Sequence, residues 1–134
     1  MFVDQISVFL ENKPGQLSEF VRTLAKNNID LLALSIAETN DYGILRIIVD
    51  KTEEADALLK NSDWAYKITK VLGVMVNDEP GSLIKILSVF ENSGISIAYS
   101  YAFFSREKGR ACIILRVDDN EGAAKLMQEA GIEL

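Results

Sequence analysis

"VFLENKPGQL" occupies residues 8 to 17 and "VMVNDEPGSL" residues 74 to 83. Each is an apolar β-forming run, a short polar turn, Pro-Gly, and then the start of an amphipathic helix. A shift of 66 positions carries Pro14, Gly15 and Leu17 onto Pro80, Gly81 and Leu83. The same shift places Phe20, Val21 and Leu24 on Ile86, Leu87 and Phe90, and Ile29 on Ile95. From Leu17 the apolar residues recur at i, i+3, i+4 and i+7, the spacing of one helix face. Proline suits a helix start, where its missing N–H would have no helical partner anyway. The pattern predicts one strand–turn–helix junction written twice.

The repeat continues downstream. "IDLLALSIAE" (29–38) and "ISIAYSYAFF" (95–104) are β-rich, and each is followed by a turn ("TNDYG", "SREKG") and a second strand, "ILRIIVD" or "ACIILRVD". Both pairs read as β-hairpins. Beyond them Asp50-x-x-Glu53 matches Asp118-x-x-Glu121 at a shift of 68, so the second hairpin is longer by an even number of residues. An even insertion keeps every strand side chain on its own face. The two D-x-x-E stretches read as N-terminal caps of a further helix, in which Ala55, Leu58 and Leu59 match Ala123, Leu126 and Met127. "WAYKI" (64–68) supplies a closing strand for the first copy. The second has only "IEL" (132–134), so its closing strand is truncated or borrowed from elsewhere.

The predicted fold is therefore α+β, a ferredoxin-like βαββαβ unit repeated twice in tandem. The sheets are antiparallel with helices on one face, and the units span residues 1–70 and 71–134. No Pro or Ser/Gly-rich linker separates them; only Gly73 interrupts "WAYKITKVLGVMV". The hairpin strands are apolar on both faces at Ile44, Leu45, Ile47, Ile48 and Val49, and again at Ile113, Ile114 and Leu115. A sheet open to water should alternate, so a second copy of the chain is expected as cover, making a homodimer.

Composition removes several functions. The chain has 134 residues, 49% hydrophobic and 25% charged, as expected of a folded protein. Its net charge of −6 disfavours phosphate backbones and anionic lipid, so neither nucleic acid nor membrane is an expected partner. There is no His, which removes the commonest general base and transition-metal ligand. The single Cys112 excludes an intrachain disulfide or a Cys cluster, and in an apolar strand it reads as a core residue. No phosphate loop or dinucleotide fingerprint occurs. Neither a catalytic residue, a metal site nor a cofactor is expected. The N-terminus lacks the features of a signal peptide, and a cytoplasmic protein is the expectation. Tyr99, Tyr101 and Phe103 alternate on one strand and read as packing residues. RNA-recognition motifs share this topology, but Arg110 and Cys112 stand where base-stacking aromatic residues are needed.

An Asn or Asp before x-Pro-Gly-x-Leu at the first strand–helix junction of a βαββαβ unit resembles the ACT domain. The whole chain is similar to stand-alone tandem ACT proteins. The resemblance implies a regulatory protein that binds a free amino acid at an interface between paired units and regulates a metabolic enzyme in trans. It also implies the ligand-binding positions. In the first copy these are Asn12, Lys13, Pro14, Gly15, Gln16 and Leu17, with Ile29 and Asp30. In the second they are Asp78, Glu79, Pro80, Gly81, Ser82 and Leu83, with Ile95 and Ser96. Their chemistry suits an amino acid: helix N-terminal N–H groups attract a carboxylate, and Asn12 with Asp30, or Asp78 with Ser96, offer acceptors to an ammonium group. The same residues also admit a purely conformational reading. The glycines would make the turn, Asn12 and Asp78 would cap the helix, and the pair would serve as a ligand-free dimerisation or adaptor module.

Overall fold

The computed structural model describes every residue except Asn40, Phe104 and Arg106, so parts of both expected hairpin turns lie outside the described residues. In chain order the elements are β1 (Phe2–Glu11), α1 (Gln16–Lys26), β2 (Leu31–Glu38), β3 (Tyr42–Val49), α2 (Thr52–Lys60) and β4 (Ala65–Asn77). Then follow α3 (Ser82–Phe90), β5 (Ile97–Phe103), β6 (Arg110–Val117) and α4 (Asn120–Glu129). They form two compact units. Asp4–Thr69 makes the first, and Lys70–Leu134 together with Met1–Val3 makes the second.

In the first unit the strand order is β2-β3-β1, and in the second β5-β6-β4. The pairings are antiparallel and equivalent: Val8 faces Leu45 and Ile6 faces Ile47, while Val74 faces Ile113 and Leu72 faces Leu115. Even the irregularities repeat. The β2–β3 register shifts between Leu31 and Ala33, and the β5–β6 register between Ile97 and Tyr99. Each unit then packs its two helices on one sheet face. Phe20, Leu24, Ala55 and Leu59 meet Ile6, Val8, Leu45 and Ile47 in the first core. Ile86, Phe90, Ala123 and Met127 meet Leu72, Val74, Leu115 and Val117 in the second.

β4 is a single strand of 13 residues, and Gly73 does not interrupt it. Its glycine has another use, because a Cβ there would lie 3.1 Å from Val3 Cγ2 and 3.4 Å from Cys112 Sγ. The Gly73 N–H donates to the Met1 carbonyl at 2.8 Å, and the Met75 N–H to the Glu133 carbonyl at 3.3 Å. The edge of the second unit is thus supplied from both ends of the chain, by Met1–Val3 and by the "IEL" segment. On the strand faces turned away from the helices, Ala33, Ile48, Cys112 and Ile114 are all buried within this one chain.

The D-x-x-E stretches do not cap helices as expected. The N-cap of α2 is Lys51, with no side-chain bond. The N-cap of α4 is Asp119, whose carboxylate accepts from the Gly122 N–H at 3.0 Å. Asp50 and Asp118 instead reach across their hairpins: Asp50 Oδ1 accepts from the Asp30 N–H at 2.9 Å, and Asp118 Oδ1 from the Ser96 N–H at 3.1 Å. The physical reason is the strand end, where a short carboxylate meets a donor that the ladder leaves unpaired. Asp50→Ala should cost about 0.5–1.5 kcal/mol, the net worth of such a bond. Amide exchange should quicken at Asp30 and stay unchanged along α2, whereas a cap would show the reverse.

Candidate functional site

The Pro-Gly segments are β-turns. Gln16 N–H donates to the Lys13 carbonyl at 3.3 Å, and Gly15 has φ 86° and ψ −9°. Ser82 N–H donates to the Glu79 carbonyl at 3.3 Å, and Gly81 has φ 88° and ψ −7°. These are type II turns, with proline at the second position and glycine at the third, where φ must be positive. Proline therefore precedes the helix instead of opening it. A Cβ at either glycine would meet nothing within 4 Å, so backbone conformation and not crowding demands glycine there.

Neither Asn12 nor Asp78 caps a helix, because the N-cap residues are Gly15 and Gly81 and no side chain bonds there. Their backbone N–H groups anchor the loops to the hairpins, donating to the Asp41 carbonyl at 3.1 Å and the Gly109 carbonyl at 2.8 Å. Lys13 Nζ lies 2.7 Å from Glu11 Oε2, and this hydrogen bond raises the Lys13 pKa. Pro14, Gly15, Glu79, Pro80 and Gly81 are exposed.

Within one unit the eight expected positions do not form one site. Asn12, Lys13, Gln16 and Leu17 line a cleft of about 180 Å³ that Ile36 and Glu38 close. Ile29 and Asp30 line a different cleft with Asp50 and Lys51, at the far end of α1. Eleven helical residues span about 16 Å at 1.5 Å each, which is too far for one amino acid to bridge. Ile29 is buried in the core, and Ile95 packs against the second core. The Asp30 and Ser96 N–H groups are already taken by Asp50 and Asp118. Leu17 and Leu83, by contrast, are large apolar residues standing in solvent at the first helical turn, 37% and 45% exposed.

The second unit holds a cavity that the motif did not indicate. It measures about 310 Å³, and Ser82 is the one expected position lining it. Its other walls are Met75–Asn77, Lys85, Ile86, Arg110 and the 131–133 segment. Arg110 Nη2 donates to Glu133 Oε2 at 2.7 Å, and Nη1 lies 3.9 Å from Glu107 Oε1. Arg110 Nε is buried without a hydrogen-bond partner among the described residues. Cys112 is buried, which pushes its thiol pKa up. Among the described residues no group of three or more His, Cys, Asp or Glu side chains is placed to hold a metal ion. No helix among them is long and apolar enough to cross a membrane.

A sequence profile of the ACT domain pair matches residues 1–133. The chain belongs to the ACT domain pair family. This ACT pair is similar to a Bacteroides thetaiotaomicron protein of known crystal structure, with 38% identity over 99% of this chain and 91% of the other, at a TM-score of 0.91. In fold it is also similar to the ligand-free regulatory subunit of aspartate kinase from Thermus thermophilus. There the identity is 16%, the coverage 95% and 91%, and the TM-score 0.65. For the regulatory subunit of aspartate kinase from Thermus flavus the values are 14%, 96% and 92%, and 0.58. No curated protein sequence matches the ACT pair significantly.

Proposed function

We propose that this ACT pair is a non-catalytic regulatory protein that binds a free amino acid beside its Pro-Gly turns and acts on a metabolic enzyme in trans. The observation that carries it is the cleft at the first turn, where Asn12, Lys13 and Gln16 adjoin the exposed Leu17 and Ile36. Polar groups for an amino acid's two charges and an apolar wall for its side chain stand together there. The shared fold with regulatory subunits of aspartate kinase supports the same reading. Residues 1–70 and 71–134 then each act as one ACT unit, and Asp30 or Ser96 reaches a ligand only from a neighbouring unit. A homodimer of cytoplasmic protein provides such neighbours.

A second reading has an observation of its own. Leu34 and Ile36 on β2 are 43% and 49% exposed, which favours assembly through that strand without any ligand. A thermal-shift screen against the twenty amino acids separates the two. One clear hit, lost in Asn12→Ala while the melting point of the free protein holds, supports the sensor. A flat screen at millimolar ligand supports the adaptor.

A further inference from the structure

The cavity of the second unit differs from its counterpart in the first by the side chains that line it. Where the first repeat has Phe20 the second has Ile86, and where the first has Trp64 the second has Ile132, at the shift of 68 set by the hairpin. In the first unit the two rings meet edge to face, with centroids 5.2 Å apart, and Trp64 lines a cleft of about 350 Å³ with Gln16, Glu19, Ser62 and Asp63. In the second the two isoleucines line a cavity of about 310 Å³.

Charge changes at the same place. Asn77 and Arg110 are cross-strand partners, as Glu11 and Tyr42 are in the first unit. Lys85 stands where the first repeat has Glu19. The scaffold itself therefore does not require the cations. Although the chain carries −6 overall, the cavity presents Arg110 and Lys85 against the single lining carboxylate of Glu133. Among the described residues that carboxylate is held by Arg110 Nη2 alone, and its side chain is 64% exposed, a contact that solvent weakens. Lys85 makes no ion pair among the described residues, and Arg110 Nε lacks an acceptor.

We propose that this cavity binds a small organic anion, one carboxylate on a short branched apolar body. The anion's carboxylate takes the Arg110 guanidinium in place of Glu133, with Lys85 beside it, and Ile86 and Ile132 enclose the apolar part. Glu133 is then a tethered competitor that occupies the site when no ligand is bound. The site lies inside one unit and does not depend on ligand binding at the Pro-Gly turns.

The test is an amide-shift titration of the full chain with 3-methylbutanoate and, separately, with L-leucine. Shifts confined to Met75–Asn77, Arg110 and Gly131–Glu133 are expected with 3-methylbutanoate. Glu133→Gln should tighten binding about two- to five-fold, the worth of an exposed ion pair. Arg110→Gln should weaken it roughly tenfold or more. Ile132→Trp replaces one apolar wall by a larger side chain with the Arg110–Glu133 pair left intact and should weaken binding roughly tenfold, so it decides the matter if Arg110→Gln fails to fold. Asn12→Ala should bind as the parent does, which separates this site from the turns. Equal response to both compounds supports an anion site without an ammonium subsite. Binding of L-leucine alone, binding indifferent to Arg110→Gln and Ile132→Trp, or no binding to Glu133→Gln at tens of millimolar overturns it.

Discussion

Phe20→Ala should lower stability by about 3–5 kcal/mol, the usual cost of emptying a phenylalanine site in a core. The ring is 1% exposed and lies edge to face with Trp64 at 82°, so truncation loses the transfer energy, the aromatic pair and part of the surrounding packing together. A unit spanning Asp4–Thr69 has at most roughly 3–10 kcal/mol at typical values per residue. One substitution can therefore unfold it. Denaturant titration followed by Trp64 fluorescence should show an earlier midpoint at unchanged slope. A loss under about 1 kcal/mol would mean that the corner is not packed as described. The equivalent Ile86→Ala should cost less, because Ile86 already borders open space.

Gly15→Val and Gly81→Val should each cost about 1–3 kcal/mol. Both sites hold φ near +87° between their values of 86° and 88°, where a β-branched residue is strained by its own backbone. Since no neighbour lies within 4 Å of the added Cβ, the penalty is conformational and not steric contact with the rest of the chain. Chemical synthesis offers a sharp control. D-Ala at position 15 accepts positive φ and should be neutral or stabilising by about 0.4–1 kcal/mol, while L-Ala at the same position should destabilise. Equal losses from both would point instead to an unseen contact at the turn.

The repeat made much of the fold legible, because helix period, strand period and turn residues all agreed between the copies. Pairings that depend on distant chain segments were not legible. Nothing local in Met1–Val3 shows that these residues serve the second unit, since only the bond at Gly73 reveals it. Asp50 and Asp118 were misread because an aspartate before a helix looks the same whether it bonds forward to the helix or back across a hairpin. Pro14 looked like a helix residue because the turn that holds it depends on the φ of its neighbour. Of the site, the turn positions were visible as a motif, but their division between the two ends of α1 follows from antiparallel connectivity. The cations of the second unit's cavity did have a signal: aligning the copies sets Glu19 against Lys85 and Tyr42 against Arg110. Similarity draws the eye to shared residues, whereas this feature lies in the differences.

The order of synthesis gives the exchanged N-terminal residues a further meaning. On the ribosome, residues 4–69 emerge before residues 70–134 and form a compact unit from contiguous chain. Met1 must wait for Gly73, 72 residues later, before its backbone finds a partner, a delay of several seconds at about 5–20 residues per second. A purification tag fused ahead of Met1 would consequently burden the second unit more than the first. Expression of residues 70–134 alone would leave an unpaired strand edge, a ready template for aggregation.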